Sequence, residues 1–186
     1  MKKNLAFLGA FITAGMLTVP AYAADSTPYY VSGNVGAAWF NDITTQNQGT
    51  VSTKEGVNVV GAVGLKLCDT YRLEAEGGYQ RNNLSSASGL VSATSILANG
   101  YYDFNAYSVK PYLTAGLGWA SVGGNGLGFS DSQSVFAYQF GAGVAIPVVK
   151  NIDIDARYRY FRTSTIKNEG FQIASNSVLV GLRVGF

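Results

Sequence analysis

At 186 residues the chain has room for one ordinary domain, which argues against a second catalytic or peptidoglycan-binding module. It contains no His and a single Cys, Cys68, so the commonest general base and metal ligand is missing and an intramolecular disulfide is excluded. With 13 Lys and Arg against 11 Asp and Glu there is no strongly basic face, and nucleic acid is not an expected partner.

The first element is a segment to be removed. Lys2 and Lys3 precede an apolar run from Leu5 to Val19, and Pro20 and Ala21-Tyr22-Ala23 follow it. A basic start, an apolar middle and a small-residue end make a secretory signal over residues 1–23, cleaved after Ala23, with 24–186 left as one domain. The run is shorter than the roughly 20 residues of a spanning helix. No Cys follows it, so a lipid anchor has no attachment point. Loss of Lys2 and Lys3 leaves the exported chain neutral. Without disulfides it needs another source of stability, and a closed barrel in lipid supplies one.

Beyond residue 28 a period of two recurs along the whole length. The first predicted strand, from Tyr29 to Trp39, sets mostly apolar odd positions against Ser32, Asn34 and Gly36. The second sets Val57, Val59, Val63, Leu65 and Leu67 against Asn58, Gly64 and Lys66. In the third, Tyr71 to Gln80, Arg72, Glu74, Glu76 and Gln80 share one face. The fourth runs from Ser92 to Phe104, with Ile96, Ala98, Tyr102 and Phe104 opposite Ser95, Asn99, Tyr101 and Asp103.

The fifth strand, Lys110 to Ala120, sets Leu113, Leu117 and Trp119 against Tyr112, Thr114 and Gly116. The sixth, Ser134 to Ile146, sets Phe136, Tyr138, Phe140 and Val144 against Gln139 and Gly141. In the seventh, Ile152, Ile154, Tyr158 and Tyr160 oppose Asp153, Asp155, Arg157 and Arg159. The eighth, Asn176 to Phe186, sets Val178, Val180, Leu182 and Val184 against Ser177, Gly181, Arg183 and Gly185. Pro111 and Pro147 are expected at strand ends, where a missing N–H is tolerated.

Eight segments, each near the 9–11 residues that cross a bilayer obliquely, predict an all-β, eight-stranded antiparallel up-and-down transmembrane barrel. Long polar connections at 41–55, 81–91, 121–133 and 162–175 alternate with short ones at 68–70, 105–109 and 147–151, the pattern of outer-membrane barrels. A soluble β-sandwich also alternates, but here the charges cluster on strands while the loops are mostly uncharged polar residues. Aromatics gather at the strand ends of the apolar face. Trp39, Tyr79, Trp119, Phe136, Tyr138 and Tyr160 lie towards the long loops, and Tyr29, Tyr71, Tyr102, Phe104 and Phe186 towards the short turns. Two such rows are the expected girdles of a membrane barrel.

The stretches Ala98-Asn99-Gly100-Tyr101-Tyr102-Asp103-Phe104, Lys110-Pro111-Tyr112-Leu113-Thr114-Ala115-Gly116-Leu117-Gly118-Trp119, Gly141-Ala142-Gly143-Val144-Ala145 and Val178-Leu179-Val180-Gly181-Leu182-Arg183-Val184-Gly185-Phe186 carry a family likeness. Together they resemble the small outer-membrane barrel family that includes the OmpA membrane domain, OmpX and the Opa-like surface antigens. The resemblance spans 29–186 and implies a multi-pass protein of a Gram-negative outer membrane. It also implies that a last strand closing on Phe186 is the signal read by the barrel-assembly machinery. The chain lacks the second periplasmic domain of OmpA, so no cell-wall tether is expected.

Enzymes of that family resemble lipases, acyl transferases and proteases that use a His beside Ser or Asp. With no His, no catalytic residue, cofactor or metal is expected. Asp153 with Asp155 and Glu74 with Glu76 read instead as members of a balanced interior set. Lys66, Arg72, Arg157, Arg159 and Arg183 oppose Glu74, Glu76, Asp103, Asp153 and Asp155, and the third and seventh strands face each other, so Glu76 is expected to reach Arg157 or Arg159. Eight strands leave an interior that side chains can fill. The expected function is a sealed, monomeric barrel in outer-membrane lipid presenting four polar loops to a host or envelope protein or glycan, as an adhesin, antigen or envelope-structural protein. The alternatives are a small porin of narrow conductance and, distantly, a His-independent enzyme.

Overall fold

The computed structural model describes residues 28–40, 43–45, 49–51, 53–84, 90–104, 108–125, 133–164 and 172–186. The predicted signal segment lies outside the described residues. Among the described residues ten strands are formed: β1 (Tyr29–Phe40), β2 (Ile43–Thr45), β3 (Gly49–Val51), β4 (Thr53–Lys66), β5 (Tyr71–Leu84), β6 (Leu90–Asp103), β7 (Lys110–Asn125), β8 (Gln133–Val149), β9 (Ile152–Thr163) and β10 (Ala174–Gly185). Eight of them close into an antiparallel barrel in the order β1-β10-β9-β8-β7-β6-β5-β4, and β2 and β3 pair as a separate hairpin. The ring is sealed by β1 and β10, which run in register from Tyr30 opposite Gly185 to Phe40 opposite Ser175.

Cross-strand partners traced once around the ring lead from Tyr30 through Gly64, Glu74, Asn99, Gly116, Gln139, Phe161 and Ser175 to Phe40. The return ten residues along β1 is the shear of the barrel, and with eight strands it tilts them by roughly 40°. That tilt is why strands of 12 to 17 residues are needed.

Four connections differ from the sequence expectation. The segments read as the loops 81–91, 121–133 and 162–175 are strand for part of their length, and 41–55 holds the β2–β3 hairpin and the start of β4. The cause is an inversion of the alternation. Through the middle of β7, Leu113, Leu117 and Trp119 point outward and Tyr112 and Thr114 inward. Beyond Trp119 the outward positions become Ser121 and Gly123 while Ala120 and Val122 are buried. On β6 the same switch separates outward Ile96 from outward Thr94 and Ser92, with Ala93 and Val91 buried. Below the switch the apolar face meets lipid; above it the outside is polar and the inside is packed.

Pro147 also differs. It lies within β8, at a register shift between Pro147 and Val149 against β9, so its missing N–H is absorbed by a bulge. Pro111 is the second residue of β7.

Candidate functional site

Because side chains alternate, each strand contributes every second residue to the lumen, and the register decides which of them meet. Every charged residue assigned to the interior from sequence, except Lys66, falls within ion-pair distance of another. At the short-turn end, Arg72 donates through Nε and Nη2 to the two oxygens of Asp103, at 2.5 and 2.8 Å. Its Nη1 reaches Glu74 Oε1 at 3.3 Å. Arg183 lies 3.5 Å from Asp153 and 2.8 Å from Asp155. Midway along the axis, Glu76 meets Arg157 and Arg159, each at 3.2 Å. Lys66 corrects the expectation of a ten-member network: it is exposed at the mouth and forms no ion pair among the described residues.

Three tyrosines that the sequence reading gave no partner connect these groups. Tyr30 accepts from Arg72 Nη1 at 2.8 Å and donates to Glu74 Oε1 at 2.6 Å. Tyr101 accepts from Arg157 Nη1 at 2.7 Å and donates to Glu74 Oε2 at 2.6 Å. Tyr112 donates to Asp155 at 2.8 Å and stacks obliquely on Tyr101 with 5.5 Å between ring centres. The Arg72 guanidinium also lies 4.2 Å from the Tyr101 ring centre. Buried charges are tolerated when lone pairs and protons are satisfied in this way. Tyr101→Phe removes a proton donated to one charge and an acceptor for another. It is expected to lower unfolding free energy by about 1–3 kcal/mol, measured by urea titration in lipid vesicles.

Glycines make room for the phenol rings. Gly64 is the cross-strand partner of Tyr30, and a Cβ built on it would fall 2.1 Å from Tyr30 Cζ. Gly143 faces Tyr112 in the same manner, with 2.4 Å to the hydroxyl. The space that glycines leave in the wall is therefore filled from the next strand.

Nearer the long-loop end the polar chain continues through amides. Gln139 donates to Asn99 at 2.6 Å, and Asn99 donates to Glu76 at 3.0 Å. Ser175 donates to Gln80 and Asn58 donates to Ser177. Leu97, Ala120, Ala137 and Phe161 then pack across the bore, followed by Val91, Ala93, Val122 and Ile173. Recesses beside Arg159 and Arg157 are no larger than about 10 Å³, room for at most one water. The larger hollow, about 390 Å³, opens at the short-turn end.

The predicted girdle residues all take outward positions. Trp39 pairs with Asn176, Asn176 with Tyr160 and Tyr160 with Phe140, while Trp119 pairs with Phe136, so the upper aromatics lie where the alternation inverts. Tyr79 lies opposite Thr94, and Tyr138 opposite Arg162. At the other end Tyr71 pairs with Tyr102, which contacts Phe104 edge-on at 4.9 Å. Tyr29 offers its carbonyl to the N–H of Phe186 at 3.1 Å, which ties the last residue to the first strand.

Comparison with known proteins places these features in a wider group. The chain matches the model of the family described as outer membrane protein beta-barrel domain over residues 9–186. No curated protein matches the chain's sequence. Among solved structures it is similar to neisserial surface protein A, with 28% identity, a TM-score of 0.68, and 86% of this chain and 98% of that one covered. It is also similar to Ail, the attachment invasion locus protein of Yersinia pestis, with 19% identity, a TM-score of 0.51, and 83% and 97% covered. A third likeness is to the outer membrane enzyme PagL, with 21% identity, a TM-score of 0.52, and 84% and 99% covered. The last two likenesses are of fold alone.

Proposed function

Since the chain belongs to the outer membrane protein beta-barrel domain family, and so resides in the Gram-negative outer membrane, we propose that it works as a sealed platform whose outer rim contacts a protein or glycan. The observation that carries this reading is the filled bore. An ion-paired layer, an amide layer and an apolar layer succeed one another, and the recesses beside Arg157 and Arg159 have no room for a hydrated ion. A filled bore leaves the outer surface as the working part. That surface is polar where β5 to β8 rise above the upper aromatics, with Arg81, Ser92, Thr94, Ser121 and Ser134 outward. Hydroxyls on a paired sheet are a surface for hydrogen-bonded recognition, and the relative at 28% identity is itself named a surface protein.

Catalysis has no part in this reading. The paired carboxylates that sequence spacing brings together are engaged: Asp155 by Tyr112 and Arg183, and Glu74 by Arg72 and two phenols. A Ser nucleophile has no His to take its proton.

Two measurements test the proposal. Purified protein in a planar bilayer is expected to give no steady channels, and stable conductance would establish the narrow-porin alternative. Cells expressing chains that lack residues 85–89, 126–132 or 165–171 are expected to lose attachment to their partner surface in at least one case, with the barrel still protease-resistant. Full attachment by all three, and by a chain with the β2–β3 hairpin removed, refutes the rim as the binding surface.

A further inference from the structure

The short-turn mouth differs from the rest of the lumen in both charge and volume. Its hollow of about 390 Å³ is lined by Lys66, Lys110, Lys150 and Arg183, with Asp153 as the one carboxylate in the lining. Lys66 continues the inward phase of Ala62 and Gly64, and Lys110 that of Tyr112 and Thr114, so both point towards the bore and not towards lipid. Neither forms an ion pair among the described residues. Arg183 and Asp153 are occupied with each other, and Arg183 also with Asp155.

The backbone explains the opening. The register shift between Pro147 and Val149 leaves Val148 without a partner on β9 before pairing resumes at Val149 opposite Ile152. The turn at Lys150 and Asn151 is held by the left-handed Asn151, at φ 66°, whose carbonyl accepts the N–H of Gly185 at 2.8 Å. The hollow is thereby given a fixed wall, with Lys150 on it.

We infer that this mouth is a binding site for a phosphate-bearing anion taken up from the periplasmic side. The ammonium groups of Lys66 and Lys110 add positive charge that Asp153, already paired with Arg183, does not balance, and low-dielectric walls focus their field into the opening. Lysines are compact charges with rotatable donors, suited to the oxygens of a tetrahedral phosphate approached from several sides; a monocarboxylate offers its two oxygens in one plane. The volume falls in the range of small-ligand sites and admits a phosphoryl group with several further atoms. Val148 and Val149, exposed at the rim, suit the glycerol end of a phospholipid equally well. The shared chemistry is therefore phosphate, from a lipid headgroup or from a soluble phosphate compound.

The test uses the barrel in phosphatidylcholine nanodiscs, titrated with pyrophosphate in a calorimeter. Saturable one-to-one binding is expected. The double variant Lys66→Gln/Lys110→Gln should weaken it at least about tenfold, whereas Arg81→Gln at the opposite end should leave it unchanged. Both lysines are exposed, and protease resistance of the barrel verifies that the variants fold. Repeating the titration in discs containing phosphatidylglycerol separates the sources: a weaker apparent affinity identifies the headgroup as a competitor for the site, and an unchanged one identifies a soluble phosphate compound. Absence of saturable binding, or affinity indifferent to the double substitution, overturns the inference. The outcome is independent of the conductance and attachment measurements, which concern the bore and the outer rim.

Discussion

Glu76→Gln is expected to destabilise the barrel by about 3–5 kcal/mol. Glu76 is 2% exposed and is the anion shared by Arg157 and Arg159, both buried. Removing its charge leaves two guanidiniums in a desolvated layer, where Arg157 keeps the Tyr101 hydroxyl and Arg159 the face of Phe161 at 5.1 Å. Neither replaces a carboxylate. The amide nitrogen of Gln would stand either where Asn99 and Gln139 both donate to Oε2 or where Arg159 meets Oε1, so either orientation creates a donor–donor contact. The measurement is a urea titration in vesicles followed by the fluorescence of Trp39 and Trp119, which report departure from lipid. An unchanged midpoint and slope sink the claim that this layer holds the barrel together. Replacing all three residues by Met should recover much of the loss, since an apolar layer of similar volume avoids the desolvation cost.

Gly64→Val is expected to cost about 3 kcal/mol, from overpacking combined with the loss of a bond to a charged group. The added Cβ falls within 2.1 Å of Tyr30, whose ring cannot retreat without giving up its bonds to Arg72 and Glu74. A double-mutant cycle isolates the cause. In a Tyr30→Ala background the clash is gone, so Gly64→Val should add little to the cost of Tyr30→Ala alone. If the two costs simply add, the glycine is serving strand curvature and not the phenol.

Much of this architecture is legible in the sequence because lipid enforces a strict outward apolar period. Tyr71, Leu73, Ala75 and Tyr79 against Arg72, Glu74, Glu76 and Gln80 leave little choice of face. The protruding parts of β6 and β7 are not, because Ser92 and Ser121 occupy the outward phase there and Val91 and Val122 the inward one. Inverted alternation reads as broken alternation when the rule is apolar outside. The ion partners follow from strand order, as with Glu76 and Arg157, whereas the phenol bridges do not. Tyr101 and Tyr112 could be placed on the polar face by counting, but an inward Tyr becomes a bridge only with a shear that sets Tyr30 on Gly64 and Tyr112 on Gly143. That offset is a property of the whole ring, and no single strand encodes it.

The pairing of β1 with β10 bears on how the protein comes into being. The two strands lie at opposite ends of the described chain, so the seam between Tyr30 and Gly185 cannot form until the last strand has emerged. Until then β1 and the most recently made strand both present open backbone, each a template for pairing with another molecule. Closing so long a loop is also slow. The exposure of unpaired strand edges is thus a consequence of the topology itself, and it ends at the moment the first and last strands meet.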